Sequence, residues 1–279
     1  MALRTYNNIP LPAWMYGTAW KKGATTELVK LAVQSGFTAI DTANQLIHYQ
    51  EALVGEALLA LQQEGVRREA LFLQTKFTPV DGQDHRTPYD ASANLTTQVE
   101  QSFESSLNHL HTDYIDSYVL HGPYSRYGIG DADKEVWAAM ERLYESDRTK
   151  MIGISNVTAE QLHQLCQQAR VKPMVVQNRC YAVLGWDKEV REVCQAEGLI
   201  YQGFSLLTAN REVLMDPEIH KIAERLGANP IQVVFRFAMQ IGMLPLTGTS
   251  NAEHMKLDLS SGDFELTSEE IQQIEMLAV

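Results

Sequence analysis

Eight short apolar runs recur along this chain, and each one ends at a polar side chain. The residues at or just after the ends of the runs are Thr18, Asp41, Lys76, His121, Ser155 with Asn156, Gln177, Ser205 and Thr247. Helix-like segments separate the runs, which predicts repeated β-α-β units and therefore a parallel sheet. The runs are apolar along most of their length, as is typical of strands covered on both faces. Eight such units favour an α/β fold of the closed (β/α)8 type, the TIM barrel, over an open sheet.

Helix signals between and after the runs agree with this fold. Apolar residues at helical spacing predict helix bodies, and capping residues predict helix starts. These signals lie at about 92–109, at about 134–147, at Thr158 with Gln161, at Asn229-Pro230 and at Thr267 with Glu270. Residues 4–12 precede the first unit and predict a small N-terminal hairpin, whereas the signal at Thr267 predicts an added C-terminal helix. Because no linker interrupts the pattern, we expect one domain over residues 1–279.

Composition limits the classes of function. The net charge is −12 and no basic run stands out, so we expect neither nucleic acid nor a membrane surface as a partner. Cys166, Cys180 and Cys194 are odd in number and lack metal-ligand spacing, which argues against a disulfide framework and a metal site. The sequence shows no secretory signal or membrane-length apolar stretch, so we expect a cytoplasmic protein. It also shows no large apolar surface stripe, which favours a monomer.

The second, third and fourth runs end at an acid, a base and an imidazole. Because function concentrates at the C-terminal ends of barrel strands, Asp41 and Lys76 should lie side by side at the barrel mouth, with His121 beside them. A structural salt bridge and a hydrogen-bonded core histidine are the alternatives. An ammonium next to a phenol would lower the phenol pKa, so that a tyrosine could serve as a general acid.

Four segments together resemble the aldo-keto reductases. They are GFTAIDTA, the lysine in LFLQTKF, the histidine in YVLHGP, and GISN at 153–156, and they occur in the family's order along essentially the whole chain. The resemblance implies a (β/α)8 barrel without metal. It also implies reduction of a small aldehyde or ketone to an alcohol by hydride transfer from a nicotinamide cofactor, usually NADP(H). The catalytic set of the family is Asp, Tyr, Lys and His. The resemblance assigns Asp41, Lys76 and His121 to three of these four places.

The tyrosine is where this chain departs from the family spacing. The family places it five residues after the aspartate, which is Leu46 here, whereas counting back from Gly55 gives His48. The segment holds two extra residues, and Tyr49 is the phenol within reach. We predict Tyr49 as the proton donor, with His48 as the rival acid. If Tyr49 only packs at the start of the next helix, the chain would be a cofactor-binding regulatory or non-catalytic protein.

The resemblance also implies the cofactor site. Ser155, Asn156 and Gln177 would hold the nicotinamide carboxamide, since an amide needs both a donor and an acceptor. Phe204 would stack on the nicotinamide ring. The remaining predicted cofactor residues are Thr18, Ser205, Leu207, Thr247, Gly248, Thr249, Ser250, Asn251 and His254.

The segment from Thr247 precedes a short helix, whose N-terminus favours phosphate. Many family members carry lysine and arginine here for the 2′-phosphate, and this chain has His254 instead. Because members of the family usually use NADP(H), the resemblance still favours NADP(H) over NAD(H).

Substrate contacts are predicted at Trp20, His48 and Tyr124, with loops 77–91 and 122–133 shaping the pocket. A third hypothesis for the function is a barrel aldolase or isomerase that uses Lys76 as a Schiff-base lysine.

Overall fold

A computed structural model describes residues 3–277 and shows eight parallel strands closed into a barrel. Each strand pairs with the next along the chain, and β8 pairs with β1. The barrel prediction is therefore confirmed. The strands are Met15–Gly17 (β1), Ala39–Asp41 (β2), Phe72–Phe77 (β3), Ser117–Leu120 (β4), Ile152–Ser155 (β5), Val175–Arg179 (β6), Ile200–Phe204 (β7) and Met243–Thr247 (β8).

Helices surround the barrel and cover the outer faces of the strands. They are Thr25–Ser35 (α1), Glu51–Gln63 (α2), Leu95–Leu110 (α3), Asp131–Glu145 (α4), Ala159–Gln168 (α5), Lys188–Glu197 (α6), Arg211–Leu214 (α7), Pro217–Leu226 (α8), Pro230–Gln240 (α9), Ala252–Leu259 (α10) and Ser268–Met276 (α11). The contact layer between helices and strands is apolar, with large side chains such as Phe103, Trp186 and Phe237 fully or almost fully buried. Burial of this layer is the main stabilising term of the fold.

The helix starts predicted at Thr158, Asn229 and Thr267 are confirmed. The side chain of each of these residues accepts a hydrogen bond from the backbone N–H three residues further on. The side chain at that later position accepts in turn from the backbone N–H of the capping residue. The helix predicted over 134–147 instead begins at Asp131, because Asp133 Oδ2 accepts from Gly130 N at 2.9 Å and starts the helix earlier. The hairpin predicted over 4–12 reduces to one antiparallel bridge between Arg4 and Pro10.

Two helices between β7 and α9 were not predicted. Helix α8 begins at Pro217 and is capped by Asp216, whose side chain accepts from Glu218 N at 2.8 Å. This Asp-Pro pair is the same kind of signal that marked Asn229-Pro230, so it was available in the sequence.

Strand register places the polar strand ends on one level. Asp41 pairs with Gln74, Ser155 pairs with Gln177, and Gln177 pairs with Gln202. Because side chains alternate across a strand, Gln74 and Lys76 point to the same side of β3. The register therefore brings Asp41, Gln74 and Lys76 together in the barrel interior.

Candidate active site

A cavity of about 520 Å³ opens at the C-terminal ends of the strands, within the size range of small-molecule sites. Most of the side chains predicted for the site line it. These are Trp20, Asp41, Tyr49, His121, Ser155, Asn156, Gln177, Phe204, Ser205, Leu207, Thr247, Gly248, Thr249 and His254.

Four of the predicted residues lie beside or beneath the cavity wall. Thr18 is buried, and its hydroxyl donates to Asp41 O at 2.8 Å. Lys76 is fully buried behind Asp41. The His48 ring lies 4.2 Å from the Trp20 ring at the rim, measured between centroids. Tyr124 is held in its loop by a 2.7 Å bond from its backbone N to Asp133 Oδ1, and neither long loop contributes a wall residue.

Ser250 and Asn251 also lie outside the cavity wall. Asn251 caps α10, and its side-chain oxygen accepts from Glu253 N at 2.8 Å and from His254 N at 3.1 Å. These two amides of the first helical turn are therefore already bonded to the chain itself.

Asp41 and Lys76 form a buried ion pair, as their neighbouring strands predicted. Lys76 Nζ lies 2.7 Å from Asp41 Oδ1 and donates a second bond to Thr42 O at 2.8 Å. Burial lowers the pKa of Lys76, and the nearby Asp41 charge opposes that shift. An ammonium held by two acceptors and sealed from the cavity is poorly placed as a Schiff-base nucleophile.

Tyr49 lies over this ion pair. The centroid of its ring is 5.1 Å from Lys76 Nζ and 5.9 Å from the centroid of the His121 ring, and the ring lines the cavity. His48 points to the rim. Of the two neighbouring candidates for the proton donor, Tyr49 therefore lies inside the cavity and His48 lies outside it.

Gln45 holds the longer turn in this conformation. Its Nε2 donates to Gly82 O at 2.8 Å, and its Oε1 accepts from His48 N at 3.0 Å. The backbone N of Tyr49 donates to Gln45 O at 3.0 Å. Gln83 Nε2 joins the same two segments by donating to Asn44 O at 2.9 Å. The loop after β3 therefore fixes the direction in which Tyr49 points.

The expectation that the pKa of Tyr49 lies below its ordinary value is wrong for the protein as it stands. Burial raises the pKa of the Tyr49 phenol, and the Asp41 charge raises it further. The physical reason is that burial penalises the phenolate and that Asp41 offsets the charge of Lys76. Tyr49 is thus fully protonated at neutral pH, which is the form a proton donor needs.

His121 is neutral over the same range. Burial lowers its pKa to about 3, and the charge of Lys76 contributes to the shift. Its Nδ1 lies 2.7 Å from Thr78 Oγ1, which fixes the plane of the ring. A neutral imidazole that is held in this way can form a hydrogen bond to a polar ligand without adding charge.

Two amide oxygens, one directly after β5 and one within β6, have no hydrogen-bond partner among residues 3–277. Asn156 Nδ2 donates to His121 O at 2.8 Å, while Asn156 Oδ1 is unbonded. Gln177 Nε2 donates to Asp41 Oδ1 at 3.1 Å, while Gln177 Oε1 is unbonded. Both residues line the cavity, so it offers hydrogen-bond acceptors to a ligand.

Lys21 is a cavity residue that the sequence reasoning missed. Its ammonium donates to Gly248 O, and burial lowers its pKa. It is the single lysine or arginine among the wall residues of this cavity. It directly follows Trp20 in the loop after β1. A basic residue next to a predicted substrate contact was the sequence signal that could have identified it.

Asp258 was also missed, although it is 3% exposed and lines the cavity near His254. Its Oδ2 accepts from Thr247 Oγ1 at 2.7 Å, and burial raises the carboxyl pKa to about 6. The cavity thus carries a cationic group and a buried acid near the β8 end.

Comparison with known proteins identifies a family. The model of the aldo/keto reductase family matches residues 11–278. The chain belongs to the aldo/keto reductase family. This is a family of oxidoreductases that act on carbonyl substrates and use nicotinamide cofactors.

Individual relatives match along nearly the whole chain. Glyoxal reductase of Bacillus subtilis (strain 168) is 30% identical, over 99% of this chain and 92% of its own length. NADPH-dependent codeinone reductase 1-4 of Papaver somniferum is 30% identical, over 96% of this chain and 86% of its own. A solved aldo-keto reductase from a Medee basin deep-sea metagenome library has a TM-score of 0.84 at 25% identity, over 98% of this chain and 93% of that one.

Among residues 3–277, no helix is long and apolar enough to cross a membrane. The same part of the chain holds no group of three or more His, Cys, Asp or Glu residues arranged to bind a metal ion.

Proposed function

We propose that this protein reduces an aldehyde or ketone to an alcohol with a nicotinamide cofactor, and that Tyr49 donates the proton. The observation that carries the proposal is the position of the Tyr49 ring, which faces the cavity between Lys76 and His121. A phenol at this point, beside a neutral imidazole and above a buried ion pair, meets the requirements of a general acid.

The cavity suits a nicotinamide dinucleotide in three respects. The unbonded oxygens of Asn156 and Gln177 can accept from a carboxamide N–H2. Phe204 lines the wall and offers a ring face for stacking. Lys21 provides a positive charge for phosphate at the β8 end.

Each of the site residues would then have a separate role. When bound, the cofactor supplies the hydride that adds to the carbonyl carbon. The Tyr49 hydroxyl donates its proton to the carbonyl oxygen, and His121 orients that oxygen by a hydrogen bond. Asp41 holds Lys76 beneath Tyr49, where the ammonium stabilises the phenolate left after proton donation. The Trp20 indole would form part of the substrate pocket at the rim.

For the cofactor we propose NADP(H) rather than NAD(H). Lys21 is a wall residue that carries positive charge toward a 2′-phosphate, and the His254 and Thr249 side chains can donate hydrogen bonds to it. Asp258 lies on the same wall and opposes an added phosphate, so the preference over NAD(H) would be small.

The alternative is a protein that binds the cofactor without reducing a carbonyl. The irregular spacing of the tyrosine segment favours this alternative, whereas the inward position of Tyr49 argues against it. The deciding experiment follows oxidation of NADPH and NADH in parallel against a panel of aldehydes and ketones. Turnover of at least one carbonyl supports reduction, whereas tight cofactor binding without turnover on the whole panel supports the alternative.

A further inference from the structure

Four polar side chains form a hydrogen-bonded layer inside the barrel, beneath the cavity. Gln74 and Gln202 are fully buried and exchange two bonds across the interior. Gln74 Nε2 donates to Gln202 Oε1 at 2.8 Å, and Gln202 Nε2 donates to Gln74 Oε1 at 2.9 Å. Gln74 Nε2 also donates to Asp41 Oδ1 at 2.8 Å. Barrel interiors are usually filled with branched apolar side chains, so this layer stands out.

Gln177 joins this layer through its amide nitrogen. Gln177 Nε2 donates to Asp41 Oδ1 at 3.1 Å and to Gln202 Oε1 at 3.0 Å. Gln202 Oε1 therefore accepts from two amide groups, one on each side of it. Gln177 is the member of the glutamine group that also reaches the cavity.

The carboxylate of Asp41 determines the direction of these bonds. A carboxylate only accepts, so Gln74 and Gln177 must both turn their N–H2 groups toward it. Gln202 must then present its oxygen to those two groups and its own N–H2 to Gln74 Oε1. No amide in the layer can reverse without placing two donors or two acceptors against each other, and each such mismatch leaves a buried polar group unsatisfied.

The outcome is an amide with a fixed orientation at the cavity wall. Gln177 Oε1 is left without a partner among residues 3–277 and is available to the cavity, while its nitrogen faces inward. A ligand group that lies against Gln177 must therefore donate a hydrogen bond.

We propose that Gln202 and Gln74 are positioning residues that hold the Gln177 amide oxygen toward the cofactor carboxamide. This inference rests on the proposed function. It makes the barrel interior part of cofactor recognition, since two side chains that do not line the cavity act together with Asp41 to hold the orientation in which Gln177 accepts from a carboxamide N–H2.

The test compares a cofactor with its 3-acetylpyridine analogue, in which a methyl group replaces the carboxamide N–H2. The probes are NADPH, the reduced acetylpyridine analogue, and 2′,5′-ADP, which lacks the nicotinamide altogether. Affinities are measured by titration calorimetry on the wild type and on the near-isosteric variants Gln202→Met and Gln74→Met. Gln98→Met is the matched control, because Gln98 is buried but donates to Ala91 O and Ala93 O outside the cavity.

We expect the wild type to bind NADPH about tenfold more tightly than the analogue, as one hydrogen bond of this kind allows. In Gln202→Met and Gln74→Met the ratio should fall to about twofold, while the affinity for 2′,5′-ADP stays unchanged. Gln98→Met should keep the wild-type ratio. A merely structural role would weaken all three ligands together and leave the ratio in place.

Two results would overturn the inference. One is a wild type that does not discriminate between NADPH and the analogue, a result that needs no variant to fold. The other is an unchanged ratio in a folded Gln202→Met or Gln74→Met variant. If NADPH does not bind the wild type, NADH and its own analogue replace the pair. If the wild type binds neither dinucleotide, the proposed function itself fails, which is a separate outcome.

Discussion

The ammonium of Lys76 lies 5.1 Å from the centre of the Tyr49 ring, although the two residues come from different parts of the chain. Lys76 is fixed from below by Asp41, so the ring rests on a charge that cannot move toward solvent. Loss of the proton from Tyr49 would place a phenolate beside this ammonium. In the proposed function, the Lys76 ammonium would stabilise the phenolate that follows proton donation, while burial keeps Tyr49 protonated before it.

Replacing Tyr49 by phenylalanine removes the proposed proton donor and keeps the ring. We expect kcat for carbonyl reduction to fall by about 10²–10⁴-fold, the usual worth of a general acid, with little change in cofactor affinity. Steady-state kinetics and cofactor titration measure the two effects. Tyr114→Phe makes the same change in a different pocket and should leave kcat unaffected. A fully active Tyr49→Phe together with an inactive His48→Ala would transfer the role to His48.

The barrel and its strand ends could be predicted because the relevant signals are local. Each strand is a short apolar run, and a polar residue at its end marks the barrel mouth. Asp41 and Lys76 could be paired because neighbouring parallel strands bring their ends together. No long-range information was needed for either inference.

The choice between His48 and Tyr49 could not be made in the same way. In an irregular turn there is no periodicity to say which side chain points inward. The direction depends on Gln45, which bonds to Gly82 in a loop 37 residues away in sequence. Gln74 and Gln202 could not be predicted as site residues for a related reason, because they lie within runs that have the pattern of apolar strands.

His121 should make stability depend on pH in a definite direction. Its pKa is about 3 in the folded protein, against about 6.5 when unfolded. Between these values the unfolded chain binds the extra proton, so the free energy of unfolding falls as the pH is lowered, by up to about 1.4 kcal/mol per pH unit. His121→Asn should lose this part of the slope in urea melts from pH 7 to pH 4. His85→Asn, at an exposed histidine, should keep it, and equal slopes in all three proteins would contradict the assignment.

Lys21 should contribute to cofactor binding through charge. Lys21 is the one lysine or arginine on the described cavity wall. Lys21→Met removes its positive charge and should weaken NADPH binding about tenfold, the worth of one charge-assisted hydrogen bond. Comparing NADPH with NADH locates the contact. Loss for NADPH alone indicates the 2′-phosphate, and equal loss for both indicates the pyrophosphate. Lys22→Met is the control, since Lys22 is exposed and does not line the cavity. An unchanged affinity for both cofactors would show that Lys21 does not contact phosphate.

Asp258 should oppose a phosphate on the same wall and should also lower stability at neutral pH. Its folded pKa of about 6 exceeds the ordinary value of 3.8, so the folded state retains the proton more strongly. The stability it contributes is therefore present below pH 3.8 and is lost as the pH rises through 6. Asp258→Asn cannot ionise, so its stability relative to the wild type should increase between pH 4 and pH 7 in urea melts.

The same substitution should raise the affinity for NADPH more than that for NADH, because a carboxylate repels an added phosphate. Asp263→Asn, at an exposed residue outside the cavity wall, should change neither the pH dependence nor the cofactor ratio. An equal increase in the affinities for NADPH and NADH would instead indicate that Asp258 lies away from the 2′-position.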